Sequence, residues 1–354
     1  MRQNKKAFEI QFNWIFVLIA GALILLFFTV IVSKQRTISQ SSTNAAVLKS
    51  VDSLINTASV SKDTTKVQPI IDSDIKIECN RVEVGGIAKQ YQNLILFGPS
   101  SLKGDKLIWQ TMEFWLPYKS TNLVYMSNPK IRYIIIGDTD IAKEIEKLLP
   151  PSPILEKERI PTPSGNVYDK KNYKTRFIFF GTPPDSSVLT NIKSPDNDVS
   201  AISVGAEVSG VTKIDFYQKN RDTFVLPRTS YSVSNASLLA AIYSDNLETY
   251  ECGMRNAFAR LSLVTEIYKA RVNKIKTEIT AEQRTKCNNF YDSAVNAANG
   301  PLTIIGTSAS TLKDAQSFGS SSSPSAPIQN IAANAKSLSN INKQLQENSC
   351  PVIY

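Results

Sequence analysis

Asp138-Thr-Asp140 sets two carboxylates around a threonine just past Ile131-Arg-Tyr-Ile-Ile-Ile136, a run that reads as a strand. In open α/β sheets, ligands and metals gather at the edge beyond the strand ends, so Asp138, Thr139 and Asp140 form a candidate ligand edge. The plainer role is a helix cap, because Thr139 or Asp140 can offer a side-chain oxygen to the unpaired amides of the helix that follows. Gly98-Pro-Ser-Ser-Leu-Lys-Gly104-Asp-Lys106 comes near a phosphate-binding loop. Its glycines are one residue too far apart and Asp105 stands where the lysine belongs, so a connection between strands is the better reading.

Ser100-x-x-Lys103 with Ser244-Asp-Asn246 resembles the first two motifs of penicillin-binding proteins over seven residues. No Lys-Thr-Gly follows, and Gly104 comes directly after Lys103 where that family needs a helix. The chain has no histidine. The commonest general base and zinc ligand is therefore missing, and Ser-His-Asp, Cys-His and His-based metal sites cannot be assembled within it. No motif implies a catalytic residue, a cofactor or a metal.

Cys79, Cys252, Cys287 and Cys350 lack the C-x-x-C spacing of metal and redox sites. Four cysteines admit three connectivities. If the last two helices run antiparallel about residue 318, Cys287 approaches Cys350, which leaves Cys79 to tie the early strands to the long helix through Cys252. An even number suits an oxidising compartment. Asn235-Ala-Ser237 is a candidate glycosylation triplet.

Residues 13–33 read NWIFVLIAGALILLFFTVIVS and contain no Asp, Glu, Lys or Arg. About 20 apolar residues span the hydrocarbon of a bilayer as a helix, so the run predicts one crossing. It is longer than a signal-peptide core and no small-x-small cleavage site follows, which predicts an uncleaved anchor. Arg2, Lys5 and Lys6, opposed by Glu9, precede it, and Lys34 and Arg36 follow. The slight bias predicts a cytoplasmic tail over 1–12 and a body outside the cytoplasm. Net charge is +9. The cations are densest from Arg255 to Lys286, where interrupting glutamates point to a solvated helix face rather than a nucleic-acid surface.

Residues 34–72 predict a helical stalk, with Val47, Val51, Leu54 and Ala58 at helical spacing. That face could pair with a second copy or pack on its own domain. Alternating strands begin near Ile75, and residues 73–228 predict an α/β domain with a mixed sheet and a βαβ unit formed by 131–136, 140–149 and 174–180. Prolines 150, 151, 153, 161 and 163 predict a surface loop over 150–173. From 229 to 354 the period turns helical. Helices over 246–275 and 280–299, a flexible linker over 319–327 and a last helix from Ile328 predict a hairpin or bundle packed on the α/β domain.

Lys5-Lys-Ala-Phe-Glu9 before the apolar run is similar in outline to prepilins, with Glu9 two rather than five positions after a cut following Ala7. The chain also resembles single-pass membrane proteins of archaea that have no assigned activity. That resemblance lies in Phe8-Glu-Ile-Gln-Phe-Asn-Trp14, Tyr250-Glu-Cys-Gly-Met-Arg-Asn256 and Arg260-Leu-Ser-Leu263. It implies the architecture alone. The expected role is a structural or interaction protein at the cell surface, partnered by the bilayer and another envelope protein. The alternatives are a tethered ligand-binding or hydrolytic domain and a pilin-like subunit.

Overall fold

The structure is a computed structural model that describes residues 5–91, 94–225 and 228–354. It starts with α1 (Lys5–Val60), one helix of 56 residues, about 84 Å long at 1.5 Å per residue. From Trp14 to Val32 its large apolar side chains stand in the open, with Trp14 and Phe16 each 72% exposed. This is the one helix among the described residues long and apolar enough to cross a membrane. Further along, Val47, Val51, Ile55 and Ala58 share one face of the helix and are buried. The predicted stalk face therefore packs on its own domain. The helix also stops short of residue 72: Asp63 takes φ 40°, and a strand begins at Thr65.

That strand, β1 (Thr65–Glu78), belongs to a sheet with β2 (Arg81–Val84), β3 (Ile87–Gln90), β4 (Leu96–Phe97), β5 (Ser101–Trp115) and β6 (Lys119–Ser127), in the order β3-β2-β1-β5-β6-β4. The ladders are antiparallel except β4 on β6. The C-terminal part of α1 crosses this sheet. Asn44 donates to the Gly85 carbonyl at 3.4 Å, Asp52 pairs with Lys89 at 2.6 Å, and Asn122 donates to the Ser61 carbonyl at 3.1 Å. Ahead of Ile75, β1 has a ladder only with β5. Its open side carries Pro69, which has no N–H to offer, and an irregularity between Pro69 and Ser73, two devices that discourage strand addition.

The second sheet contains β7 (Ile131–Ile136), β8 (Glu156–Ile160), β9 (Lys174–Phe180), β10 (Val199–Val208), β11 (Val211–Asn220), β12 (Thr223–Phe224) and β13 (Arg228–Ser232). Strands β8, β7, β9 and β10 are parallel neighbours, β11 returns antiparallel, and β12 and β13 both pair with β11. Strands β7 and β9 are buried along their whole length, as a covered parallel sheet requires. The helix α2 (Asp140–Leu148) closes a βαβ unit between β7 and β8. The prolines of 150–173 point to a surface loop. Glu156–Ile160 is instead a strand that Pro153 and Pro161 flank without entering. One face of this sheet joins the main core, and Val167, Val188, Leu189 and Ile192 cover the other.

Five helices complete the body: α3 (Asn235–Tyr243), α4 (Leu247–Glu278), α5 (Ala281–Val295), α6 (Pro301–Lys313) and α7 (Ala326–Glu347). The expected helix over 280–299 ends at Val295, and Pro301 opens a helix the periodicity did not announce. Helix α4 packs closely on β4, because a methyl group at Gly253 would run into the Phe97 ring. The expected flexible linker is an ordered strap. Phe318 beside it is fully buried with its ring 5.4 Å from that of Phe258, Gly319 bridges to Pro324, and Tyr231 donates to the Ser320 carbonyl at 2.7 Å.

Both cysteine pairs form as the spacing argument expected, Cys79 with Cys252 and Cys287 with Cys350, at Cα separations of 5.6 and 6.0 Å. The second closes residues 287–350 across α5, α6 and α7. Replacing Cys287 and Cys350 together by serine should cost about 2–4 kcal/mol of stability, measured by urea unfolding, and leave Cys79–Cys252 as the remaining target of reductant.

Candidate functional site

The predicted ligand edge lies where expected and is already engaged. Thr139 is the N-cap of α2, its hydroxyl accepting from the Ala142 amide at 3.3 Å, and Asp140 opens the first turn in solvent. Asp138 is exposed and accepts from Arg159 at 2.5 Å, with Lys143 at 3.5 Å. Arg159 and then Lys143 hold its carboxyl below the usual carboxylate range. Arg159 also binds Glu146 at 2.7 Å. The three residues thus cap a helix and fix its start to β8.

The opposite edge of the same strands holds a cluster of buried charges. Lys174 and Arg176 enter from β9, Ser100 from the turn before β5, and Asp245 from the short link between α3 and α4. One oxygen of Asp245 accepts from the Ser100 amide at 3.0 Å, the Ser100 hydroxyl at 2.7 Å and Lys174 at 2.8 Å. Arg176, 4% exposed, donates to the carbonyls of Ile242, Ala241 and Ser244 at 3.3, 2.9 and 2.5 Å. These are orphan carbonyls of the α3 C-terminus, where a cation also meets the negative end of the helix dipole. The guanidinium lies 5.6 Å from the centre of the Phe216 ring. Ser244 and Asn246 finish the turn, Ser244 by donating to the Ala240 carbonyl and Asn246 by capping α4.

Ser100 meets the Ser244-Asp-Asn246 turn through Asp245 alone, and the lysine at that carboxylate is Lys174, not Lys103. The arrangement is poorly suited to catalysis. Burial opposes the charge on Asp245, yet Lys174 and the two Ser100 donors outweigh it and hold the pKa below the usual range. Such a carboxylate is a weak base. The adjoining cavity is ≈ 10 Å³, room for about one water and no substrate. Burial raises the pKa of Tyr133 and Tyr243 beside it, so neither phenol ionises near neutrality. The site is a buried polar tie between two sheets and two helices.

The remaining candidates have structural placements too. Asn235 sits in the first turn of α3 with its amide on Glu144 at 2.6 Å, while Ser237 is fully buried in a capping box with Ser234. Of the basic stretch, Arg255 binds the Ala315 carbonyl, Arg271 the Val352 carbonyl, Lys276 pairs with Asp292, and Lys269, Lys274 and Lys286 pair along their own helices. Among the described residues no group of three or more potential metal ligands converges. Two larger hollows, ≈ 540 Å³ beside Val211 and Tyr231 and ≈ 560 Å³ beside Asp292 and Asn296, each contain one charged side chain, and both are ion-paired. Glu251, buried in α4, accepts from Ser230 at 2.9 Å and from the Phe318 amide at 3.4 Å, and its burial raises its pKa.

Two substitutions test these ties. Asp245→Asn leaves Lys174 buried beside a neutral amide and should cost about 3–5 kcal/mol at pH 7 by chemical unfolding. Because the folded pKa of Asp245 is depressed, its stabilisation is present above the unfolded value and lost as pH falls through the folded one. The gap between variant and parent should therefore close below about pH 4. Glu251 has the opposite sign: its raised folded pKa makes the parent gain stability as pH falls toward the ordinary carboxylate value. Glu251→Gln should be more stable than the parent at pH 8 and lose that advantage in acid, read as melting temperature against pH. No protein-family model matches the chain, no curated protein matches its sequence and no solved structure matches its fold.

Proposed function

We propose that the protein is a single-pass, membrane-anchored scaffold that holds a disulfide-tied body outside the cytoplasm for contact with another envelope protein. The observation that carries this reading is α1. Its first part exposes an apolar surface that water would penalise and lipid would not, and its last part is core of the body, with no break between them. Two disulfides and no free thiol fit an oxidising location. The buried polar cluster around Asp245 ties elements together, and at the Asp138 edge the carboxylate a tethered hydrolase would need is committed to Arg159 and Lys143. A pilin-like role would use α1 in the same way, but Glu9 stands at the wrong spacing from a cut after Ala7.

Because every native cysteine is paired, a cysteine placed at the exposed Asp222 gives a single reporter thiol. In intact cells producing Asp222→Cys, a membrane-impermeant maleimide should label the protein fully. Labelling only after the cells are opened would put the body in the cytoplasm and overturn the reading.

A further inference from the structure

We propose that the hollow between the end of the β10–β11 hairpin, the strap and α7 binds a small apolar carboxylate, with its acid group on Lys213. The inference goes beyond the scaffold reading and stands whether or not that reading holds. Its starting point is the length of β10. The last residue of β10 to pair with β9 is Val204, on Phe180, and β10 then runs on with β11 alone to Val208, opposite Val211. The hairpin end therefore overhangs the carboxyl edge of the parallel strands, the side of an open α/β sheet on which ligands gather.

The overhang turns through Ser209 and Gly210, both at positive φ (53° and 82°), as a two-residue hairpin turn requires. It rests against α7, where a methyl group at Gly210 would lie 3.3 Å from the Ala332 side chain. The space enclosed is the hollow of ≈ 540 Å³ beside Val211 and Tyr231, inside the range of about 300–1,000 Å³ that small-molecule sites occupy. Val208, Val211, Pro324 and Ala333 give it apolar walls. Those walls are tied to one another without a ligand: Gln329 of α7 donates to the Pro324 carbonyl at 2.9 Å, and Tyr231 of β13 to the Ser320 carbonyl at 2.7 Å.

The polar groups decide what the occupant is. Among the described residues that line the hollow, Lys213 carries the one charge and no carboxylate is present. Its ammonium pairs with Asp215 at 3.1 Å, and with three donors it can serve a second acceptor. Asp215 also accepts from the Thr229 hydroxyl at 2.5 Å, so it keeps a partner when Lys213 turns to a ligand. Ser322 adds a hydroxyl on the strap. An acid on these donors gains a charge-assisted hydrogen bond that a neutral analogue of the same shape does not.

The test uses the full-length protein in washed membranes opened by sonication. Every native cysteine is paired, so Val208→Cys, at a position 69% exposed, gives one thiol at the hollow, and Ala333→Cys gives one on its α7 wall. Naphthylacetate should slow maleimide labelling at both positions several-fold, and naphthylacetamide much less. Neither compound should slow labelling of Asp222→Cys, which lies beyond the other end of β11. Adding Lys213→Met should abolish the preference for the acid. Equal protection by acid and amide, equal protection at Asp222→Cys, or no protection at either hollow position overturns the assignment.

Discussion

The burial of Arg176 organises the body. A guanidinium taken out of water must find acceptors, and the ones it finds are the last carbonyls of α3. Those carbonyls need a donor just as much, because a helix end inside a core has no water to turn to. The chain then turns through Ser244 and Asp245 into α4, and Asp245 draws in Lys174 from the same strand and Ser100 from the other sheet. Four elements are fixed to each other by groups that would each be costly if left alone. Around them Tyr243 stacks on Tyr125, lies tilted against Tyr133 and donates to Gln110, which in turn donates to the Leu148 carbonyl.

On the other side of the first sheet, α1 supplies the core layer that the sheet would otherwise lack. Its docking residues are not spare surface: Val51 and Ala58 are as buried as the strands beneath them. The consequence for architecture is that stalk and domain are one piece. The disulfide from Cys79 to Cys252 joins the turn after β1 to α4, so the first sheet is held both by its covering helix and by a covalent link to the helical region.

Much of this could be read from the residues. The apolar run, the amphipathic spacing of 47–58, the strand–turn–helix of 131–149 and the long helix from 246 follow from periodicity, although β8 rather than 174–180 is the strand that α2 leads into, and the cysteine pairing follows from where those elements had to turn. The misses have physical causes. Strand β8 was hidden because its prolines lie at its borders, where they are harmless. Helix α6, PLTIIGTSASTLK, is small and hydroxyl-rich, a composition that reads as loop until packing against α4 buries it. The serine-rich strap looked like a linker because its anchor, Phe318, stands just ahead of it. The polar tie was overlooked although it left a trace: Lys174 and Arg176 interrupt a run otherwise fit for a fully buried strand, and a charge at such a position demands a partner.

The continuity of α1 has a mechanical consequence. After Gly21 no glycine or proline interrupts it before Val60, so nothing along the stem can serve as a swivel. The compass bearing of the body, seen from above the lipid, is set by how the embedded segment is rotated among its neighbours, and a tug on one is felt as torque on the other.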